Sequence, residues 1–284
     1  MNIISGKEVA GHISKRVKDR VDELIKQGKR APKLVIVRVG DRPDDLSYQR
    51  GAIKRMDMVG IAHEELWFEE NVSIETFYKK FDEINKDDEI DGILVLRPLP
   101  KHLDEDRLIR TINQAKDVDA IGPTSLGKIM IGDKNGFAPC TAAGVIEILK
   151  YAGVETGGKK VTIVGRSNVV GRPLALLFIG LDATVTVCHS RTKDVKEACK
   201  NAEILVASCG KARFINKEYV ANGAVVIDVG INLDEEGKLC GDVDTDSIED
   251  IAAACTPVPG GVGAVTTSVL ASQVLRAYEN TLKV

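Results

Sequence analysis

The sequence of 284 residues is poor in aromatic side chains, at 4%, and carries a single tryptophan. Its six cysteines (140, 188, 199, 209, 240 and 255) form no C-x-x-C pair, and its four histidines are scattered. No metal-ligand spacing is spelled out, so a metal site is not expected. Thiols in mostly apolar surroundings are expected to be reduced, as in a cytoplasmic protein, rather than paired. No apolar run approaches the ~20 residues that a membrane-spanning helix needs. Met1-Asn-Ile-Ile-Ser-Gly-Lys7 lacks the charged and apolar regions of a signal peptide. Charge of one sign is also missing: the net charge of −3 argues for neither a nucleic-acid nor a membrane partner. What remains is an ordinary soluble balance, 44% hydrophobic, with length enough for two domains.

Helix and strand signals alternate along the chain. Ser5-Gly-Lys-Glu8 reads as a capping box, and Val9, Ile13, Val17, Val21 and Leu24 recur at helical spacing until Gly28. A strand is expected over Leu34–Val39, a helix from about Ser47 to Val59, a strand over His63–Phe68 and a helix capped by Ser73. Gly92-Ile-Leu-Val-Leu96 reads as a buried strand, stopped by Pro98 and Pro100. Such alternation predicts a mainly parallel sheet. The turn-rich stretch 116–136 is expected to join two domains, after which Thr141 opens a helix. A second sheet is expected at 161–164, 184–187, 203–207 and 224–229, with a closing helix over 266–282. The fold class is α/β: an N-terminal α/β domain (1–137 and 266–284) and a Rossmann-like domain (138–265). The C-terminal helix is expected to pack back on the first domain.

The most informative segment is Gly165-Arg-Ser-Asn-Val-Val-Gly171, between the apolar run Val161-Thr-Ile-Val164 and helix-like Pro173-Leu-Ala-Leu-Leu-Phe178. A buried strand that breaks at glycine and restarts as a helix leaves backbone N–H donors at the helix start, where phosphate binds well. The spacing is not G-x-G-x-x-G, because Ser167 stands at the second glycine, so the turn alone is a modest signal. The next strand, Thr184-Val-Thr-Val187, ends in Cys188-His-Ser-Arg191. An NAD-type fold would carry an acidic residue there, about 20 residues past the first glycine. Ser190 and Arg191 suit a ribose 2′-phosphate instead, which points to NADP.

Collinear segments across nearly the whole chain resemble the methylenetetrahydrofolate dehydrogenase/methenyltetrahydrofolate cyclohydrolase family. They are Val39-Gly-Asp-Arg-Pro43 with Tyr48, Gly92-Ile-Leu-Val95 with Pro98-Leu-Pro100, Lys116-Asp-Val-Asp119 and Pro139-Cys-Thr141. Beyond the glycine turn and Cys188-His-Ser-Arg-Thr192 come Val226-Ile-Asp-Val-Gly-Ile-Asn232, Gly241-Asp-Val-Asp244 and Thr256-Pro-Val-Pro-Gly-Gly-Val-Gly263. The resemblance implies NADP-linked oxidation of a tetrahydrofolate one-carbon unit, followed by hydrolysis of the methenyl product. It also implies a homodimer paired through the nucleotide-binding halves, with folate in the cleft between domains. Tyr48 matches a residue lying along the pterin and its reacting carbon, and Asp119 one that bonds the pterin edge. Pro257, Gly260 and Gly261 match a loop bordering the folate. Arg166 and Ser190 match the 2′-phosphate positions, with Gly165, Ser167, Gly171, Arg191 and Ile231 also on the cofactor side.

Departures from the family pattern gather on one polar cluster. The family's Y-V-x-x-K reads Tyr48-Gln-Arg-Gly-Ala52, so alanine replaces the main cyclohydrolase lysine. V-Q-L-P-L-P reads Val95-Leu-Arg-Pro-Leu-Pro100, so Leu96 replaces the glutamine that positions it, and Asp45 replaces a serine. Hydride loss from the methylene carbon needs placement more than proton transfer. Hydrolysis needs a positioned acid or base, a factor of roughly 10²–10⁴. Lys54, about 200° around the helix, is expected to point away. The sequence therefore predicts an NADP-dependent dehydrogenase with cyclohydrolase activity lost or weak, its product passed to a separate hydrolase. Two alternatives stand beside it: a bifunctional enzyme with Asp45 or a water chain as base, and a catalytically silent binding paralogue. Asp45 as a turn or capping residue, and Arg97 as folate contact or solvated strand end, stay open. His189 is read as ribose contact or packing residue, Trp67 and Tyr78 as core, and Asp242 and Asp244 as surface-turn residues.

Overall fold

The computed structural model describes residues 1–133 and 135–283; Lys134, inside the expected junction, and Val284 lie outside these. In chain order the elements are β1 (Asn2–Ile3), α1 (Gly6–Lys26), β2 (Lys33–Val39), α2 (Pro43–Val59), β3 (Ala62–Phe68), α3 (Ile74–Lys86) and β4 (Gly92–Val95). Then follow α4 (Glu105–Thr111), α5 (Pro123–Met130), α6 (Cys140–Tyr151), β5 (Lys160–Val164), α7 (Gly171–Ile179), β6 (Thr184–Cys188) and α8 (Val195–Lys200). The chain ends with β7 (Ile204–Ala207), β8 (Val225–Asp228), β9 (Asn232–Leu233), β10 (Leu239–Cys240), β11 (Ala254–Cys255) and α9 (Val262–Thr281). They form two compact units, one of residues 11–128, 135–140 and 267–283, the other of 1–10, 129–133 and 141–266.

In the first unit β2 lies between β3 and β4, all parallel, with Leu34 opposite Gly92 and Lys33 opposite Ala62. Leu34, Val35, Ile36 and Val37 are fully buried, as befits a central strand covered on both faces. Ile13, Val17, Val21 and Leu24 make the buried stripe of α1. Ser73 caps α3 by accepting from the Thr76 N–H at 3.1 Å. The C-terminal helix packs back on this unit: Gln273 Nε2 donates to Val118 O at 2.7 Å and Ala138 O at 2.9 Å, and Glu279 accepts from Arg20 Nε at 2.6 Å. A Cβ at Gly92 would press on Val118 and Val274 at 3.0–3.1 Å, so helix and strand meet at glycine.

The second unit is a six-stranded parallel sheet in the order β1-β11-β8-β7-β5-β6, beside an antiparallel β9–β10 pair. Its order reverses at β5, between β6 and β7, and such switch points open a crevice at the strands' C-terminal ends. Val164, Cys188, Cys199, Leu205, Val226 and Cys255 share one buried cluster, and all six cysteines are free thiols. Among the described residues no helix is long and apolar enough to cross a membrane.

Several expectations need correction. The helix α2 starts at Pro43 rather than Ser47, because proline's fixed φ suits the first helical position and Asp44 and Asp45 suit the dipole there. Asp45 is thus a helical first-turn residue and not part of a loop. The stretch 116–136 contains α5, again opened by a proline. The two-residue strands β1 and β11 pair with each other, too short to show periodicity, and so residues 1–10 join the nucleotide-type unit. Trp67 is 47% exposed because β3 is an edge strand, whereas Tyr78 is core. Asp242 is fully buried, not a surface-turn residue: it accepts from the N–H groups of Cys209, Gly210 and Lys211 at 2.6, 3.0 and 2.8 Å.

Candidate functional site

In the first unit the residues singled out by sequence lie on α2, at the end of β4 and in the 116–120 segment. Ile93 N donates to Lys116 O at 2.8 Å, which draws that segment alongside β4. Tyr48 is half-buried on α2, and Ala52 stands four residues on, hence on the same face, with no exposure at all. Gln49, between them, accepts from Arg38 Nε at 2.8 Å and donates to Glu65. Lys54 is exposed, as helical geometry predicts. Asp45 is buried and both of its oxygens accept from Arg42, Nε and Nη2 each at 2.8 Å. That bidentate pair gives Asp45 a structural role other than the expected turn or cap and leaves it a poor stand-in for the missing base. Leu96 is buried and continues the sheet, its N–H donating to Val37 O at 2.9 Å.

Asp119 is held by the N–H of Cys140, the first residue of α6, at 2.9 Å. Burial raises its pKa above the ordinary carboxylate value, while the Cys140 hydrogen bonds and then the Arg97 charge pull it back. Cys140 is in turn touched by Gln273 Nε2 at 3.3 Å, so α9 supports this carboxylate from behind. Neighbouring Asp117 is structural: it accepts from Ile121 N, Gly122 N and Ser125 Oγ at 2.9, 2.8 and 3.1 Å. Ala120 follows with φ of 53°, a conformation glycine adopts freely and alanine does not.

In the second unit the Gly165–Gly171 turn lies at the switch point. Gly165 has φ of 138°, and a Cβ there would overlap the Ser208 carbonyl and hydroxyl; one at Gly171 would overlap the Gly165 carbonyl. Glycine is needed at both because backbone meets backbone. Ser167, at the expected second glycine, accepts from Val170 N at 3.0 Å and thereby stabilises the turn. A cavity of about 420 Å³ opens here, lined by Gly165, Arg166, Ser167, His189, Ser190 and Lys211 among others. At the end of β6, Thr192 Oγ1 accepts from His189 N at 2.9 Å, and His189 Nδ1 accepts from Arg191 N at 3.2 Å. Arg166, Ser190 and Lys211 thus offer two cations and a hydroxyl where a carboxylate would repel phosphate.

Gly171 and Arg191 do not line that cavity, nor does Ile231, which is 69% exposed. Lys211 escaped the sequence reading, because nothing in the sequence sets a lysine past the buried run 204–207 apart from a solvated one. The Pro257–Gly261 turn is tied to the chain's start: Gly6 N donates to Gly260 O at 2.9 Å. A Cβ at Gly6 would overlap Gly261, and one at Gly261 would overlap the Pro257 carbonyl. Gly260 has φ of 101°, which explains the paired glycines.

Residues 4–119 match the family model described as tetrahydrofolate dehydrogenase/cyclohydrolase, catalytic domain. Residues 139–282 match the tetrahydrofolate dehydrogenase/cyclohydrolase, NAD(P)-binding domain. The chain is 50% identical over 275 residues to the bifunctional protein FolD of Clostridioides difficile (strain 630), covering 97% of this chain and 96% of that protein. It is similar to the crystal structure of bifunctional FolD, a methylenetetrahydrofolate dehydrogenase/cyclohydrolase, from Campylobacter jejuni, with TM-score 0.95, 34% identity and 99% of each chain covered. The FolD of Trypanosoma brucei, solved with NADP cofactor and an inhibitor, gives TM-score 0.92 and 34% identity, covering 99% of this chain and 98% of that one.

Proposed function

The chain belongs to the tetrahydrofolate dehydrogenase/cyclohydrolase family, and from that premise we propose that it is an NADP-dependent 5,10-methylenetetrahydrofolate dehydrogenase that also hydrolyses the methenyl product. The observation that carries the cofactor is the cavity at the switch point, with Arg166, Ser190 and Lys211 on its wall and no carboxylate at the end of β6. Those groups fit a ribose 2′-phosphate, and the glycine-lined turn fits a pyrophosphate. NADP, when bound, accepts the hydride. In the first unit Tyr48 orients the pterin and its reacting carbon, and Asp119 bonds the pterin edge. Oxidation of the methylene carbon asks little else, because the adjoining nitrogen's lone pair stabilises the charge left behind. The subunits act as a homodimer.

Hydrolysis rests on the relatives: the C. difficile and C. jejuni proteins are named bifunctional. They favour retention over the loss expected from positions 52 and 96. Asp45 is tied to Arg42, so the water is deprotonated elsewhere, and Asp119, with its raised pKa, is the better placed acceptor. A second reading keeps the dehydrogenase alone and leaves hydrolysis to a separate enzyme; the buried Ala52 and Leu96 favour it. Purified protein given methylenetetrahydrofolate and NADP decides among these. NADPH should form, and the methenyl absorbance should rise and then fall faster than in buffer. Decay of added methenyltetrahydrofolate at the buffer rate selects the single-activity reading, and absence of NADPH overturns both.

A further inference from the structure

The loop after β7 forms one side of the nucleotide cavity through Ser208, Cys209 and Lys211. Successive backbone N–H groups of that loop converge as they would on a phosphate, but their acceptor is a side chain of the protein itself. Asp242 Oδ2 accepts from Cys209 N at 2.6 Å and from Gly210 N at 3.0 Å, and Oδ1 accepts from Lys211 N at 2.8 Å. Asn232 Nδ2 also donates to Oδ1, at 2.9 Å, and the carboxylate these donors surround has no exposure at all. A concave row of amides is an anion site by its own geometry. Here it is filled from within, so these amides are not free to hold a phosphate. What the loop offers a nucleotide is side chains, Lys211 foremost. The Lys211 Nζ stands 5.1 Å from the centre of the Phe214 ring, which lines the same cavity.

Asp242 is in turn fixed by a second buried carboxylate. Asp228, at the end of β8, accepts from Gly230 N, Asp242 N and Val243 N at 2.9, 3.0 and 2.9 Å. Its own N–H donates to Thr256 Oγ1 at 2.8 Å, and Asp242 O accepts from Ile215 N at 2.9 Å. The packing leaves no slack. A Cβ at Gly230 would lie 2.4 Å from the Asp242 carboxyl carbon, and one at Gly241 would lie 1.8 Å from Asp228 Oδ2. Burying an ionised group is costly and is offset here by N–H donors. A line of hydrogen bonds thus runs from the end of β11 through Asp228 and Asp242 to the loop that bears Lys211.

Building on the NADP reading above, we propose that Asp242 is a positioning residue for the cofactor: it draws the 209–211 backbone onto the C-terminal edge of the sheet and so sets where the Lys211 ammonium meets the 2′-phosphate. Charge alone argues the other way. A negative group behind the loop repels phosphate, so neutralising it without moving the loop would tighten NADP. Placement predicts the opposite, because an asparagine at 242 would turn an amide donor toward N–H groups that need an acceptor. The two accounts differ in sign.

The test is calorimetric titration of NADP and NAD into the native protein, Asp242→Asn, Lys211→Ala and the double variant. Asp242→Asn should weaken NADP about fivefold and NAD by less than about twofold, and in the Lys211→Ala background it should add little, since both changes remove one contact. In turnover the KM for NADP should carry the loss, with kcat at saturating NADP hardly changed. Unchanged or tighter NADP binding by folded Asp242→Asn would overturn the proposal, as would equal losses for NADP and NAD, or losses that multiply in the double variant. Should Asp242→Asn not fold, Asn232→Ala removes one donor from Oδ1 and should weaken NADP roughly twofold to threefold; unchanged NADP binding there overturns the proposal as well. If the native protein binds neither nucleotide, the NADP reading fails and takes this inference with it. NADP bound by the native protein in preference to NAD, with that preference intact in Asp242→Asn, sinks the inference alone.

Discussion

Removing Arg166 tests the cofactor assignment most sharply. Its side chain borders the cavity at the C-terminal ends of β5 and β6, with Ser190 and Lys211 on the same wall. A charge-assisted hydrogen bond to phosphate is worth ~1.5–3 kcal/mol when shielded. Arg166 is exposed, so solvent and salt screen it, and the lower part of that range applies. Arg166→Ala should then raise KM for NADP about tenfold, equivalent to ~1.4 kcal/mol. Adding Lys211→Ala should weaken NADP further, by less than a second full factor because neighbouring charges share one phosphate. NAD lacks that phosphate, so its KM should hardly move in either variant. The assay is initial-rate NADPH or NADH formation at fixed methylenetetrahydrofolate, repeated at low and high salt. The NADP effect should shrink as salt rises, since the native contact is itself screened. An equal loss for NADP and NAD would show that Arg166 supports the turn rather than reads the 2′-phosphate. No loss for either would remove the cavity from the cofactor site.

Three further outcomes are expected. Ala52→Lys with Leu96→Gln should raise the enzyme-dependent decay of methenyltetrahydrofolate, up to a ceiling of roughly 10²–10⁴-fold set by a restored acid–base group; a folded double variant with no gain counts against the roles given to these positions. Ala120→Gly should stabilise by up to about 1 kcal/mol, because relief of the left-handed backbone strain slightly exceeds glycine's entropy cost, and thermal unfolding checks it. Burial pushes the Asp228 carboxyl up to about 6 despite N–H bonds from Gly230, Asp242 and Val243. Its folded pKa exceeds its unfolded one, so its contribution is complete below the unfolded value and is lost as pH rises through about 6. Denaturant titrations from pH 4 to 7 should show the native protein losing stability relative to Asp228→Asn, by ~3 kcal/mol at most; parallel curves would refute the assignment.

Much of the architecture was legible because period and punctuation agree in it. The stripe of α1, the run Leu34–Val37 and the Ser73 cap each carry a local signal that tertiary structure had no cause to override. Helix starts were read late wherever the opening residues look like turns. Pro43-Asp-Asp45 and Gly261-Val-Gly263 are turn chemistry by composition, yet the first favours a helix N-terminus and the second runs straight into α9, which begins at Val262. The strands β1 and β11 have two residues each and exist only through pairing distant in sequence. Burial of Asp242 was invisible for a related reason: its three N–H partners lie over 30 residues upstream, and a buried acceptor has no sequence period. Among the candidate site residues, Tyr48, Asp119, Ser190 and Arg166 were singled out by motif. Lys211 was not, since a lone lysine past a strand is indistinguishable from a solvated one.

The altered positions at 45, 52, 96 and 97 separate two demands that one folate site must meet. Holding the methylene carbon for hydride loss requires a shaped surface and a fixed charge, and neither has to titrate. In the proposed reading Tyr48 on α2 and Asp119 under the Cys140 N–H supply these. Adding water requires a group that exchanges a proton near neutral pH. Alanine and leucine at 52 and 96 cannot do so, Asp45 is occupied by Arg42, and an arginine keeps its proton. The group left is Asp119, raised by burial and lowered by Arg97. Opposite consequences then follow from a single change. Taking the positive charge from position 97 should weaken folate binding, because Asp119 is less often ionised. The same change should raise Asp119 as a base, so hydrolysis measured at alkaline pH with saturating methenyltetrahydrofolate should fall less than dehydrogenation does. If both rates fall in the same proportion at every pH, Asp119 serves only to hold the substrate, and the water must be activated without it.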